Sequence, residues 1–515
     1  MGHSWKEDRA KKRIKSRYEE VRDVEIYDYK RDTSLESIPA KRAYRIHAAH
    51  LYIDIVNIDE ILACTKDEGT TCHKRTLKFL NQHYRAVHRI LEESNAKRVD
   101  FHNQRLHALV AKPYGEDEER QRVAKAVAIA KLVDEVLAET GDADEHIPNA
   151  RVRVGIDSGL ALAVNNGRRG GREPLFLGSP ANHAAKCAGH ASTEGIYLTN
   201  SARSVMDFPA LDGDKDRSTR LTDDQIATCV DEAKLETSKD KIIKLWKEEQ
   251  EETPIGSIEF SRPTPPLSDL DFDALTPGNS KNFEGVSVYA DIDGFSAFVD
   301  QHLEENPENL VRTLHVVRSE LDSVTHSDFG GRRVRFIGDC LHGMMIEGTA
   351  YTTDAEATVS TAVQCVGALR SSFLSAIEHL KSEGGDTGEL GLAIGFEYGP
   401  LSLSRLGMKG ERVRCATGRA VIASEAEQRI CKGTESRIGP AAYKAGSDAV
   451  RTLFGNSRTA DNLDYDAAVE ELSASGDKVA KAALEDAYAS SRPAVVPSLS
   501  QPLRPHLKLA HDERS

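Results

Sequence analysis

The chain has 515 residues, 39 % hydrophobic and 29 % charged, enough for two large domains or about three average ones. Its 82 acidic residues outnumber 68 basic ones, a net charge of −14 that excludes broad nucleic-acid binding through a basic footprint. No apolar run approaches a membrane span, and the eight cysteines form neither a Cys-x-x-Cys nor a zinc-spaced cluster, so a cytoplasmic protein with free thiols is expected.

In chain order, residues 1–44 are charged, and Lys6–Arg13 has no apolar core behind it to make a leader. Leu51-Tyr-Ile-Asp-Ile-Val-Asn57 reads as a strand, Arg120 to Thr140 has helical periodicity, and Val152-Arg-Val-Gly-Ile-Asp-Ser-Gly159 is again strand-like. A loop with Arg168, Arg169 and Arg172 precedes Gly178. Residues 208–283 read as a connection: Lys234–Glu252 as a charged, solvated helix, and Pro254–Pro277 as an extended Pro/Ser-rich linker. Val286-Ser-Val-Tyr-Ala-Asp-Ile-Asp-Gly-Phe-Ser296 is a strand that breaks at Asp-Gly, and Arg333-Val-Arg-Phe-Ile-Gly-Asp339 is another that ends in Gly-Asp. Ala355 to Lys381 is helical, Leu392-Ala-Ile-Gly-Phe-Glu-Tyr-Gly-Pro400 is a strand, and a basic loop with Arg405, Lys409, Arg412 and Arg414 precedes Gly418. From residue 446 onward come an Ala/Glu/Lys helix (Ala467–Ser490) and a Pro-rich tail expected to be disordered.

One module is written twice. Asp54 pairs with Asp291, Gly155 with Gly395, and Gly178 with Gly418, the last two pairs at the same offset. The halves, 45–207 and 284–445, each read as an α/β (α+β) sandwich of one sheet with flanking helices.

Asp291 and Asp339 carry the chemistry. Asp-Gly and Gly-Asp at strand ends are common turns when met singly. Two carboxylates brought together repel each other, and a shared cation holds both ionised. Paired divalent ions in turn favour in-line displacement at phosphorus. No Walker A sequence occurs, so triphosphate binding would depend on metals, not on a glycine cradle.

These landmarks resemble the class III nucleotidyl cyclases, which carry Asp-Ile-x-Gly-Phe on the first strand, Gly-Asp further on, and Gly-x-x-x-Asn-x-x-x-Arg opening a later helix. Asp291-Ile-Asp-Gly-Phe295 and Ile337-Gly-Asp339 match in the second half. Within the family, Ile38–Ile46 before His50-Leu-Tyr-Ile-Asp54 is similar to the pyrimidine cyclases of the bacterial Pycsar anti-phage system. The resemblance implies two tandem ferredoxin-like palm domains paired head to tail as an intramolecular pseudo-heterodimer. A single chain then suffices, and a monomer is expected to be active. It further implies two divalent cations, Mn²⁺ or Mg²⁺, held by Asp291, Asp339 and the Ile292 carbonyl.

Matching the family residues onto each half gives complementary losses. The first half keeps Asp54 but has Gln104 at the second metal position, and glutamine cannot neutralise a dication. It keeps Asn182, with Lys186 in place of arginine. The second half has Ile422 and Ala426 at those two places. One composite site therefore sets Asp291 and Asp339 against Asn182 and Lys186, and the other is dead. Lysine brings charge without the planar fork of arginine.

The expected substrate is a nucleoside triphosphate over Asp291–Phe295, with Lys409, Arg412 and Arg414 on its outer phosphates. Asp100, four residues before Gln104, and Leu175, three before Gly178, take the base-reading places. An ionised Asp100 accepts only, which leaves uracil N3–H, the cytosine amine and guanine N1–H open. The Pycsar likeness favours a pyrimidine, UTP over CTP, and implies a separate cyclic-nucleotide-sensing effector. An adenylate or guanylate cyclase and an inactive nucleotide sensor are the rival readings.

Overall fold

The structure, a computed structural model, describes residues 3–31, 33–35, 37–165, 174–190, 193–209 and 211–491. Arg168, Arg169, Arg172 and the Pro-rich tail lie outside the described residues.

The repeat becomes two eight-stranded sheets of identical topology. The first has the order Lys97–His102, Arg105–Val110, Arg42–Ile55, Val152–Asn165, Gly195–Thr199, Ser218–Arg220. The second has Arg332–Ile337, Cys340–Met345, Ser280–Asp293, Gly391–Leu406, Glu435–Ile438, Thr459–Asp461. Each central strand has one apolar face (Leu51, Ile53 and Ile55; Val286, Val288, Ala290 and Ile292) and one that carries polar side chains (His50, Tyr52 and Asp54; Ser287, Tyr289 and Asp291). Helices Thr70–Glu93 and Glu119–Leu137 serve the first sheet; Pro307–Ser323 and Ala355–Ser382 serve the second. Their starts are local: Asn306 precedes Pro307 at the first helical position, and Asp354 accepts from the Ala357 N–H at 2.9 Å.

The paired glycines have a steric reason. A Cβ on Gly155 would lie 2.2 Å from the Ala184 carbonyl oxygen, and one on Gly395 would lie 2.2 Å from the Gln428 backbone nitrogen. Helices Ser179–His190 and Arg419–Arg429 can therefore lie directly on the long strands. Gly178 and Gly418 open these helices at φ +145° and +147°.

Three segments differ from expectation, and burial explains each. Lys239–Glu252 is amphipathic: Ile242, Trp246 and Glu249 are buried on Thr70–Glu93, and Glu249 pairs with Arg89 at 3.1 Å. The Pro-rich connection is packed, since Leu267, Phe272 and Leu275 join a core cluster with Phe283, Tyr289 and Leu401. The helix expected over 467–490 is two, Tyr465–Ala474 and Lys478–Ser491, broken at Gly476 with φ +96°.

The N-terminal segment bridges the modules. Helix Glu7–Glu20 buries Ala10, Ile14 and Tyr18 in the core of the second module, although it precedes the first in sequence. Arg13 reaches Glu320 at 2.6 Å and Asp328 at 2.9 Å. Strand Glu25–Asp28 then adds parallel to Arg42–Arg45 on the first sheet.

Candidate active site between the two modules

Asp291 stands near the end of its strand, where the register Ala290 with Leu341 sets it beside Cys340. Strands Arg332–Ile337 and Cys340–Met345 are joined by the two-residue turn Gly338-Asp339, with Gly338 at φ +61°. A positive φ at the first turn residue is what a tight hairpin of this hand needs, and glycine adopts it without strain. The turn places Asp339 next to Asp291 and against the backbone N–H of Ile292. Burial raises the Asp291 carboxyl to about 6; Cys340 and Gln428 (3.3 Å) hydrogen-bond it, and Asp293 adds repulsion. Asp339 is raised well above the usual carboxylate range, first by burial and then by Asp291. Arg318, lowered to about 9 by burial, stacks 3.9 Å over Phe336 and partly offsets the charge of Asp339.

This pair fits a hard dication. Among the described residues no group of three or more His, Cys, Asp or Glu assembles for a metal. Mg²⁺-type sites use one or two carboxylates and fill the remaining positions with phosphate oxygens and water, which a substrate supplies.

Gly294, at φ +80°, turns the chain from the strand into helix Phe295–His302. Phe295 points into the core 6.1 Å from Phe298, so the first-turn N–H groups, not its ring, face outward. Here the other module arrives. The Asn182 amide donates to the Ser296 hydroxyl at 3.2 Å, and the Ser179 hydroxyl donates to Asp300. Lys186 is exposed one helical turn beyond Asn182. Asp291, Ile292, Phe295, Asp339 and Asn182 thus meet at one seam.

The other named residues make different contacts. Leu175 is buried opposite Val164, in the apolar cluster that also holds Val311 and Leu314. Asp100, on strand Lys97–His102, is ion-paired with Arg335 of the second module. The loop between Leu406 and Val413 clasps the first-module helix Thr70–Glu93. The Gly407 N–H donates to Asn81 at 2.6 Å, and Arg98 donates to the Glu411 carbonyl at 3.0 Å. Lys409 is exposed there. The Arg412 carbonyl accepts from Arg405, while Arg414 pairs with Asp273 at 3.0 Å through its side chain and accepts from Arg335 at its carbonyl.

The opposite composite is plugged. Asp54 binds Arg153 at 2.7 Å and has Arg105 at 4.0 Å, while Arg105 also pairs with Glu425 at 2.6 Å. Asn103, at φ +47°, and Gln104 form the turn equivalent to Gly338-Asp339, so Arg105 stands where the second module has Cys340. Fixed guanidinium groups neutralise Asp54 without a metal. Sequence reasoning passed over Arg105, Arg153, Arg318 and Arg335. The signal for Arg335 was its spacing, four residues before Asp339, as Asp100 stands before Gln104.

A pH dependence follows from Asp291. Its folded-state value of about 6 lies above the ordinary 3.8, so protonation favours the metal-free fold, and that contribution fades as pH rises through about 6. A dication competes with the same proton. Thermal stabilisation by Mn²⁺ is therefore expected to be small at pH 5 and to grow steeply between about pH 6 and 7. Melting curves with and without Mn²⁺ check this, and an Mn²⁺ effect that is flat with pH contradicts it.

The family model of the adenylate and guanylate cyclase catalytic domain matches residues 279–438. A uridylate cyclase from Pseudomonas aeruginosa is 54 % identical over 508 residues, 98 % of each chain. A uridylate cyclase from a Rhizobium species is 37 % identical over 443 residues, 81 % of this chain and 82 % of that one. A crystal structure of a class III adenylyl cyclase-like ATP-binding protein from Pseudomonas aeruginosa superposes with a TM-score of 0.89 at 56 % identity, covering 92 % of this chain and 100 % of that one. Among the described residues no helix is long and apolar enough to cross a membrane. With relatives matched along nearly its whole length, the chain belongs to the class III nucleotidyl cyclases, alongside these uridylate cyclases.

Proposed function

We propose that the chain converts UTP into 3′,5′-cyclic UMP and pyrophosphate at the single composite site formed by Asp291, Asp339, Asn182 and Lys186. The observation that carries it is the seam where Asn182 meets Ser296 beside the carboxylate pair, set against an opposite site plugged by Arg105 and Arg153. The names of the two relatives support uridine as the base.

The triphosphate lies against the first turn of Phe295–His302, whose free N–H groups receive phosphate oxygens. Divalent ions held by Asp291, Asp339 and the Ile292 carbonyl would supply Lewis acidity at phosphorus and ease ionisation of the ribose 3′-hydroxyl. The 3′-oxygen bonds to the α-phosphorus, the bond to the bridging oxygen of the β-phosphate breaks, and pyrophosphate leaves with that electron pair. The 3′ proton passes to solvent. Asn182 orients the ribose, and Lys186 places a positive charge beside the α-phosphate as negative charge builds there. Asp100 accepts from N3–H of the uracil. The loop of Lys409 and Arg412 is engaged with the first module and Arg414 is paired with Asp273, so the backbone cradle is the better anchor.

The likeness to the Pycsar cyclases supports a role in anti-phage defence, in which the cyclic nucleotide is a messenger for a separate effector. Incubation with UTP, CTP, ATP and GTP in turn, with Mn²⁺ and product identification by mass spectrometry, tests the reading. Cyclic UMP is expected as the main product. Cyclic AMP as the main product would favour an adenylate cyclase, and binding without pyrophosphate release an inactive sensor.

A further inference from the structure

Arg335 occupies, in the metal-bearing module, the position that Asp100 occupies in the other. The two are brought together by symmetry. In the first sheet Asp100 stands opposite His107, and His107 opposite Tyr52. In the second, Arg335 stands opposite His342, and His342 opposite Tyr289. The rings stack alike, Tyr52 on His107 at 4.1 Å and Tyr289 on His342 at 4.3 Å. The two rows meet end to end at the seam, where Arg335 binds the Asp100 carboxylate and the Phe101 carbonyl (2.7 Å), while its other nitrogen donates to the Arg414 carbonyl. Side-chain exposure is only 9 % for Arg335 and 15 % for Asp100.

The first row continues to Gly155, opposite Tyr52, over which the helix carrying Asn182 crosses. Asp100 and that helix therefore share one face of the first sheet. A base read at Asp100 and a ribose held at Asn182 lie on a common surface. A guanidinium anchored on two backbone carbonyls is a rigid support. It holds the carboxylate in one orientation.

We propose that Arg335 is a specificity-determining positioning residue: from the metal-bearing module, it holds Asp100 of the other module as a fixed acceptor for N3–H of a uracil base. This rests on the proposed uridylate cyclase reading. The pairing accounts for the opposite charges that the two repeats carry at one equivalent place. It also makes base selection depend on closure of the seam, because the reader is set only when both modules are docked.

The test compares Arg335→Met, Arg335→Lys and the reversed pair (Asp100→Arg with Arg335→Asp) in the full chain. Each is assayed with UTP and CTP and Mn²⁺ alongside a melting curve. Arg335→Met is expected to raise KM for UTP about tenfold or more, the loss of one charge-assisted contact. It should lower the ratio of cyclic UMP to cyclic CMP by a similar factor, with a smaller fall in kcat, and Arg335→Lys should restore part of that ratio. The reversed pair keeps an ion pair at the seam but presents a cation to the base, so it should remain folded and lose its preference for UTP. An unchanged product ratio in a folded Arg335→Met, or a folded reversed pair that still prefers UTP, overturns the proposal while leaving the cyclase reading intact. Wild-type protein that makes no cyclic UMP overturns both.

Discussion

Asp291→Asn and Asp339→Asn are each expected to abolish pyrophosphate release, by about a thousandfold or more, with the fold retained. Both carboxylates are buried, and the Asp291 charge makes Asp339 still harder to ionise. Removing one charge relieves that repulsion, so the metal-free protein should melt no lower, and for Asp339→Asn slightly higher. Activity should collapse because these are the proposed metal ligands, and a bound metal would supply several kcal/mol of transition-state stabilisation. Asp54→Asn is the internal control. Its carboxylate is already matched by Arg153 and Arg105, so that variant should lose stability while activity per folded molecule stays within about threefold. Melting temperatures and pyrophosphate release measured on the same samples separate the two effects. Activity surviving in Asp339→Asn, or vanishing in a folded Asp54→Asn, would sink the one-site reading.

Arg13→Ala should be among the most destabilising single changes on the surface of the chain. Its guanidinium holds Glu320 and Asp328, whose side chains are each 1 % exposed, on a helix that belongs in sequence to the far end of the molecule. Arg9 also reaches Asp328 at 2.9 Å, but among the described residues Glu320 then keeps the hydroxyl of Ser372 as its hydrogen-bond partner. Breaking a buried pair by removing one partner costs about 3–5 kcal/mol, because a desolvated charge is left behind. That corresponds to a fall in melting temperature of about 3–5 °C for a chain of this length. Glu320→Gln placed with Arg13→Ala should recover part of it, since an amide is cheaper to bury than a carboxylate. A melting temperature within about 2 °C of wild type for Arg13→Ala would show that the helix does not hold the modules as the structure indicates.

Local sequence was sufficient wherever the determinant is short-range. The strand that breaks at Asp291-Ile-Asp-Gly, the turn at Gly338-Asp339 and the helices over 119–137 and 355–382 follow from periodicity and from the few residues that tolerate special dihedrals. The duplicated glycines marked the repeat because close helix–strand approach admits no Cβ at Gly155 or Gly395. The complementary losses, Gln104 in one half and Ile422 with Ala426 in the other, were legible because the two copies could be read against each other.

What the sequence could not carry is where charges go once the two modules meet. Lys239–Glu252 looked solvated because its charges outnumber its apolar residues, yet three buried positions one turn apart are enough to dock it. Arg153 and Arg105 face Asp54 through the register of neighbouring strands in its own sheet, whereas nothing local signals that Arg335 will meet Asp100, since an ion pair across 235 residues depends on the docked geometry. Lys409, Arg412 and Arg414 looked like phosphate ligands because a run of basic residues is all that sequence shows; the structure turns the loop before Val413 onto the other module and pairs Arg414, on the following strand, with Asp273. The sequence by itself determined the repeat, its two sheets and the carboxylate pair, because each rests on dihedrals and spacing within a few residues. The tertiary structure alone decided which charges are neutralised internally and which are left for a ligand, because desolvation and partner choice are properties of the seam between modules.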